Sequence, residues 1–125
     1  MTKITVKPDC GNAPKKELLK QLNIAFAKGN SDFLTEVVSD DIEWDIIGDQ
    51  KISGKEQFTG KLETLKSEKV SELILDRILT HGKEGAANGI IKMQNGNEYG
   101  FSDFYEFTGA KGAKVKSITS YVVKI

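Results

Sequence analysis

Four apolar, strand-like runs joined by short turns fill the second half of this chain, and their spacing restricts the fold more than any other feature. The runs are Val70 to Thr80, Ala86 to Gln94, Tyr99 to Thr108 and Val115 to Ile125. Between them lie His81-Gly82-Lys83-Glu84-Gly85, a turn at Asn95-Gly96, and Gly109-Ala110-Lys111-Gly112-Ala113. Asn-Gly supplies the positive backbone angles that a tight hairpin needs. Parallel neighbours require a crossover of a dozen or more residues, which these turns cannot provide. The spacing therefore predicts an antiparallel sheet.

The first half reads differently. Residues 1–12 are polar and punctuated by Pro8, Gly11 and Asn12, which suggests a loose arm or an extra edge strand. Pro14 suits a first helical position, with Glu17 in the first turn. Leu18, Leu22, Ala25 and Phe26 recur at helical spacing, and Gly29 suits the C-terminal cap. Asn30 or Ser31 then caps a short second helix carrying Phe33, Leu34, Val37 and Val38. Ser39-Asp40-Asp41 breaks to a strand near residues 42–47, and Gly48-Asp49-Gln50 turns. Ser53 and Glu56 have the spacing of a capping box, and a third helix presents Phe58, Leu62 and Leu65. Helices segregated from a run of hairpin strands define the α+β class. Residues 13–125 form a single domain behind a 1–12 arm.

Composition narrows the function. Eighteen basic and eighteen acidic side chains cancel, so no net field recruits nucleic acid or an anionic membrane. The chain lacks the run of about 18 apolar residues that would span a membrane. Its first residues lack the apolar core of a signal peptide, so cytoplasmic residence is the expectation. Cys10 is the only cysteine and reads as a free thiol, which excludes an internal disulfide. His81 is the only histidine and sits at a turn, so neither a metal nor a cofactor is expected. The Gly109–Gly112 turn has no strand-to-helix context and is not a phosphate loop. Lys114 and Lys116 alternate outward as a solvated face.

Two aspartates stand out because they interrupt apolar strands, where aspartate is rare. Asp45 lies in Ile42-Glu43-Trp44-Asp45-Ile46-Ile47, and Asp103 in Phe101-Ser102-Asp103-Phe104-Tyr105-Glu106-Phe107. A carboxyl facing an apolar interior has a raised pKa and can serve as a general base or a neutral hydrogen-bond donor. Strand parity groups Asp103 with Phe101, Tyr105 and Phe107, the better candidate for an interior face. Parity on the first strand groups Trp44 with Ile42 and Ile46, so a simple amphipathic reading turns Asp45 outward.

Several of these segments resemble the nuclear transport factor 2-like superfamily. They are Ala25-Phe26-Ala27-Lys28-Gly29-Asn30 with Phe33-Leu34, Ser39 through Gly48, and Ile52-Ser53-Gly54-Lys55-Glu56 opening a helix. The likeness spans residues 15–125 and includes ketosteroid isomerases, SnoaL-type polyketide cyclases and scytalone dehydratases. It implies a cone-shaped α+β barrel, with a curved antiparallel sheet wrapped around the first helix and a pocket at the open end. It implies a homodimer packed through the outer sheet face. It also implies that Asp45 corresponds to the isomerase general base, and Asp103 to the aspartic acid that donates to the developing oxyanion. The isomerase tyrosine falls on Leu22, which has no donor; Tyr105 or Tyr99 could replace it from the sheet.

The expectation is thus a binder of a small apolar or aromatic, carbonyl-containing molecule. Asp45, Asp103 and Tyr105 are the candidate catalytic residues of an isomerase, cyclase or dehydratase. Leu22, Phe26, Trp44, Phe58, Leu62 and Phe101 are the candidate pocket wall. The alternatives are a non-catalytic binder of an apolar metabolite and a dimeric interaction module.

Overall fold

A polar, turn-rich start, three helices and a train of hairpins assemble into one sheet with helices against one face. The computed structural model describes residues 2–11, 13–109 and 114–125. In chain order the elements are β1 (Lys3–Val6), α1 (Pro14–Lys28), α2 (Ser31–Val37), β2 (Val38–Ile46), β3 (Gln50–Ser53), α3 (Gly54–Leu65), β4 (Val70–His81), β5 (Glu84–Met93), β6 (Glu98–Phe107) and β7 (Val115–Lys124). The sheet order is β1-β4-β5-β6-β7-β2-β3. It is open, with β1 and β3 at its edges, and it wraps its apolar face around α1 rather than closing into a barrel.

The hairpin series β4 to β7 is antiparallel throughout, as the short turns require. The whole sheet is mixed, which corrects the purely antiparallel expectation: β1 joins β4 and β2 joins β7 in parallel. Both parallel joins use long connections that contain helices, the arrangement parallel pairing demands. Part of the 1–12 arm is thus β1 on the sheet edge. The turn at Gly109–Ala113 lies largely outside the described residues, as does Asn12.

Helix 1 starts with Pro14 at its first position and ends at Gly29, whose φ of 72° is the left-handed cap that glycine accepts without strain. Its buried stripe is Leu19, Leu22, Asn23 and Ala25, one residue round from a Leu18-centred face. The Asn30 side chain accepts from the Phe33 N–H and caps α2. Strand β2 begins at Val38, not Ile42, because a register shift between Val38 and Glu43 absorbs the polar triplet Ser39-Asp40-Asp41. The turn at Gly48 (φ 78°) returns the chain as β3, an element the sequence reading missed.

The capping box also differs. Ser53 is the N-cap of α3, but it is also the last residue of β3, directly opposite Glu43. Its hydroxyl donates across the strands to Glu43 Oε2 at 2.6 Å, and Gln57 Oε1, not Glu56, accepts the Ser53 N–H.

The core lies between the helices and the inner sheet face. It contains Leu19 and Leu22 of α1, Leu34 of α2, Phe58 and Leu62 of α3, and Trp44, Leu73, Leu75, Phe101, Tyr105, Phe107 and Ile118 of the sheet. The first half of β5's inner face carries only Gly85, Ala87 and Gly89, with Ile91 beyond them, and a Cβ at Gly85 would lie 2.8 Å from Leu19 Cδ1. Small residues there let α1 lie close on the sheet.

Candidate functional site

Strand β6 positions the central side chain. Its buried face is Phe101, Tyr105 and Phe107, with Asp103 partly buried between Phe101 and Tyr105. Pairing sets Asp103 beside Ala87 of β5 and Ser120 of β7. Its lateral neighbours are therefore a methyl group and a hydroxyl, with no compensating cation.

A chain of polar side chains runs through this interior. Asn23 Nδ2 of α1 donates to the Leu19 carbonyl at 2.8 Å and to Tyr105 Oη at 3.2 Å. Tyr105 Oη donates to Asp103 Oδ2 at 3.3 Å. Ser120 also hydrogen-bonds the Asp103 carboxylate, and its Oγ accepts from Trp44 Nε1 at 2.9 Å. Trp44 stands in an aromatic row, 5.4 Å from Phe26 and 5.6 Å from Phe58 between ring centroids. Each buried polar group in this run has a partner, as a low-dielectric interior requires.

The electrostatics follow from burial. Desolvation lifts the Asp103 carboxyl from its ordinary 3.8 to about 6, although hydrogen bonds from Ser120 and Tyr105 pull it back. Desolvation raises the Tyr105 phenol well above its ordinary range, and the neighbouring Asp103 charge adds to the rise. Tyr105 is therefore a fixed O–H donor. Asn23 occupies its oxygen, so its proton points at Asp103. Asp103 is the group that changes protonation near neutral pH.

Asp45 lies elsewhere. Register places it opposite Lys51 of β3 and Thr119 of β7, and Thr119 opposite Phe104. Phe104 is on the outer face of β6 and half-exposed. Asp45 thus points away from the interior, as strand parity alone suggests, and the two aspartates occupy opposite faces of one sheet. The side chain in register with Asp103 across Ser120 is Ile46, one residue along. A one-residue difference in strand position exchanges faces, which is why a short motif match could not place Asp45.

The candidate wall divides in two. Phe26 and Leu62 line a cavity of about 110 Å³ at the rim of the sheet, together with Leu34, Leu65 and Val70. Leu22 and Phe58 are packed into the core at no more than 1% exposure, beside the buried Trp44 and Phe101. Leu22 offers no donor, but Asn23, the next residue, supplies the helix-1 link to Tyr105. Asn23 and Ser120 escaped the sequence reading. A polar residue four positions after Leu19 on a buried helical stripe was the available signal for Asn23. Ser120 shares its parity with buried Ile118, but only the register brings it to Asp103. Among the described residues, no three His, Cys, Asp or Glu side chains gather as a metal site would need. No helix among them is long and apolar enough to cross a membrane.

A helix cradled by a curved α+β sheet, with polar groups sunk among aromatics on the concave side, defines a class: the chain has the nuclear transport factor 2-like fold. A nuclear transport factor 2-like protein of unknown function from Burkholderia xenovorans LB400 superposes with a TM-score of 0.75 at 23% identity, covering 92% of this chain and 88% of that one. One from Cytophaga hutchinsonii ATCC 33406 gives 0.70 at 14% identity, covering 90% and 93%. A provisionally assigned ketosteroid isomerase of Kribbella flavida DSM 17836 gives 0.74 at 13% identity, covering 88% and 78%. No protein-family model matches the sequence, and no curated protein does.

Proposed function

We propose that this protein binds a small molecule on the concave side of the sheet, with Asp103 as the polar anchor. The observation that carries this reading is a carboxyl with a pKa of about 6, held between Ser120 and Tyr105 beside an aromatic row. Such a group exchanges roles with pH: protonated, it donates to a carbonyl; ionised, it accepts from a hydroxyl. Binding pockets of this kind are mostly apolar with a few placed polar groups.

Acid/base turnover is the second reading, favoured by the same pKa, because a catalytic group works best when it titrates near the working pH. The two-carboxylate arrangement is not part of it, since Ile46 occupies the position facing Asp103 across Ser120. Asp103 would act alone as the proton carrier, with Tyr105 as a positioning residue.

One experiment addresses both readings. Carbon-13 titration of Asp103 is followed with small enolisable ketones and phenols, in parallel with deuterium exchange at the ketone α-carbon. A compound that moves the Asp103 titration supports binding. Exchange that depends on the protein and vanishes in Asp103→Asn supports turnover. An Asp103 titration unmoved by every compound overturns the proposal.

We also propose that a second copy covers the outer sheet face. Leu79, Ala86, Phe104 and Thr119 stand in one register row there and line a groove of about 410 Å³. Leu79 is 61% exposed and Val123 68%. Asn88, in the adjoining row between Arg77 and Ser102, has a buried Oδ1 without a hydrogen-bond partner. That oxygen is covered by its own chain, so it costs the protomer about 1–3 kcal/mol and is not itself a contact for the partner. Charge favours a copy of this chain: Arg77, the only arginine, lies on β4, and Asp45 lies on β2 at the far side of the same face. A two-fold axis parallel to the strands over β6 sets each arginine toward the other copy's aspartate. Sedimentation that gives a monomer at all concentrations would overturn it.

A further inference from the structure

The cavity at the rim has walls of mixed polarity and a basic border. Phe26, Leu34, Leu62, Leu65 and Val70 share the lining with polar Thr2, Ser31 and Gln94, and Lys28, Lys66 and Lys69 stand there against a single acid, Glu68. Lys66 reaches Glu63 at 3.1 Å, whereas Lys28 and Lys69 enter no ion pair among the described residues. Helix dipoles account for part of this. Lys28 lies in the last turn of α1, and Lys66 directly follows α3, where cations offset the partial negative charge of a helix C-terminus. Lys69 lies beyond the last turn of α3, immediately before β4, so that role does not explain it.

Size limits the occupant. A cavity of about 150 Å³ lined by apolar residues takes up benzene, and this one is about 110 Å³. A compact branched or five-membered-ring body fits without rearrangement. Its wall includes Phe26, which packs on Trp44, the tryptophan whose Nε1 donates to Ser120. Three contacts, Phe26 to Trp44, Trp44 to Ser120 and Ser120 to Asp103, therefore link the cavity wall to the carboxyl.

We infer that the molecule taken up by the cone is an amphipathic anion: a small carboxylate whose apolar body fills the rim cavity while Lys28, Lys66 and Lys69 face its charge. The inference specifies the ligand class for the interior-binding reading and rests on it. Neutral molecules of the same shape gain the apolar contacts but not the attraction. Because the lysines are exposed, that attraction is screened by salt.

The test uses a matched pair, cyclopentanecarboxylate and cyclopentylmethanol, with the whole protein. Binding is read from the fluorescence of Trp44, the only tryptophan, and from the Asp103 carbon-13 resonance. At low salt the carboxylate binds about tenfold more tightly than the alcohol, and near-molar salt removes the difference. The double variant Lys28→Gln, Lys69→Gln removes the difference too. Equal affinity of acid and alcohol at low salt, or an advantage that survives the lysine changes, overturns the anion inference and leaves the interior reading standing. If neither compound perturbs Trp44 or Asp103, the rim site is overturned, and the interior reading is judged by its own ketone and phenol series.

Discussion

Asp103 makes folding stability depend on pH in the direction opposite to that of most carboxylates. Its folded pKa is raised, from 3.8 to about 6. Below 3.8 both states are protonated and nothing is lost. Between 3.8 and about 6 the unfolded chain releases the proton that the folded one retains, so stability falls as pH rises, then levels off. The shift corresponds to about 3 kcal/mol. Asp103→Asn keeps an oxygen acceptor and removes the ionisation, so it is expected to raise the melting temperature at pH 7.5 and leave it nearly unchanged at pH 4; thermal scans at both pH values check this. Tyr105→Phe deletes a hydrogen bond that lowers the Asp103 pKa, so the titration midpoint moves above 6 in carbon-13 spectra. Asp103 was legible in the sequence because a carboxylate among alternating aromatics is anomalous wherever that strand lies. Asn23 and Ser120 were not, because amides and hydroxyls are common and only their partners make them distinctive.

The glycines within β5 and α3 have unequal roles. A Cβ at Gly89 would lie 2.0 Å from the Ile74 carbonyl oxygen, so Gly89→Ala must displace the β4 backbone. A loss of at least about 2 kcal/mol is expected in urea unfolding, the usual scale of overpacking. Gly60, in the middle of α3, has nothing within 4 Å of its Cβ position. Gly60→Ala should add about 0.5–1 kcal/mol through helix propensity, and the same urea series reads both signs. On α3 itself, Phe58 is fully buried against Trp44, and Phe58→Ala is expected to cost about 3–5 kcal/mol. Existence and type of the long elements were readable from period and turn chemistry. The short strand β3 was not, because four residues carry too little periodicity, and β1 stayed open between a loose arm and an edge strand until its pairing with β4 decided it.

At the scale of the whole molecule, one sheet separates two surfaces with different chemistry. Its concave face holds the polar run from Asn23 to Trp44, and its convex face holds Asp45, Arg77, Phe104 and Tyr121. If the convex face joins two copies, Arg77→Glu should weaken the dimer by about tenfold or more, and adding Asp45→Arg should restore it, as a concentration series in sedimentation would record. Restoration by the double change would be hard to explain without the crossed contact. The hydrophobic pattern by itself determined the α+β class, the hairpin train and the inward face of β6, because a period of two or of 3.6 residues and the turn residues are local properties of the chain. For Asp45, strand parity and the family resemblance pointed to opposite faces, and only the tertiary structure decided between them. That choice depends on the register of β2 against β7, a parallel pairing between strands separated by most of the chain, and a single residue of register exchanges Asp45 for Ile46 at the position facing Asp103.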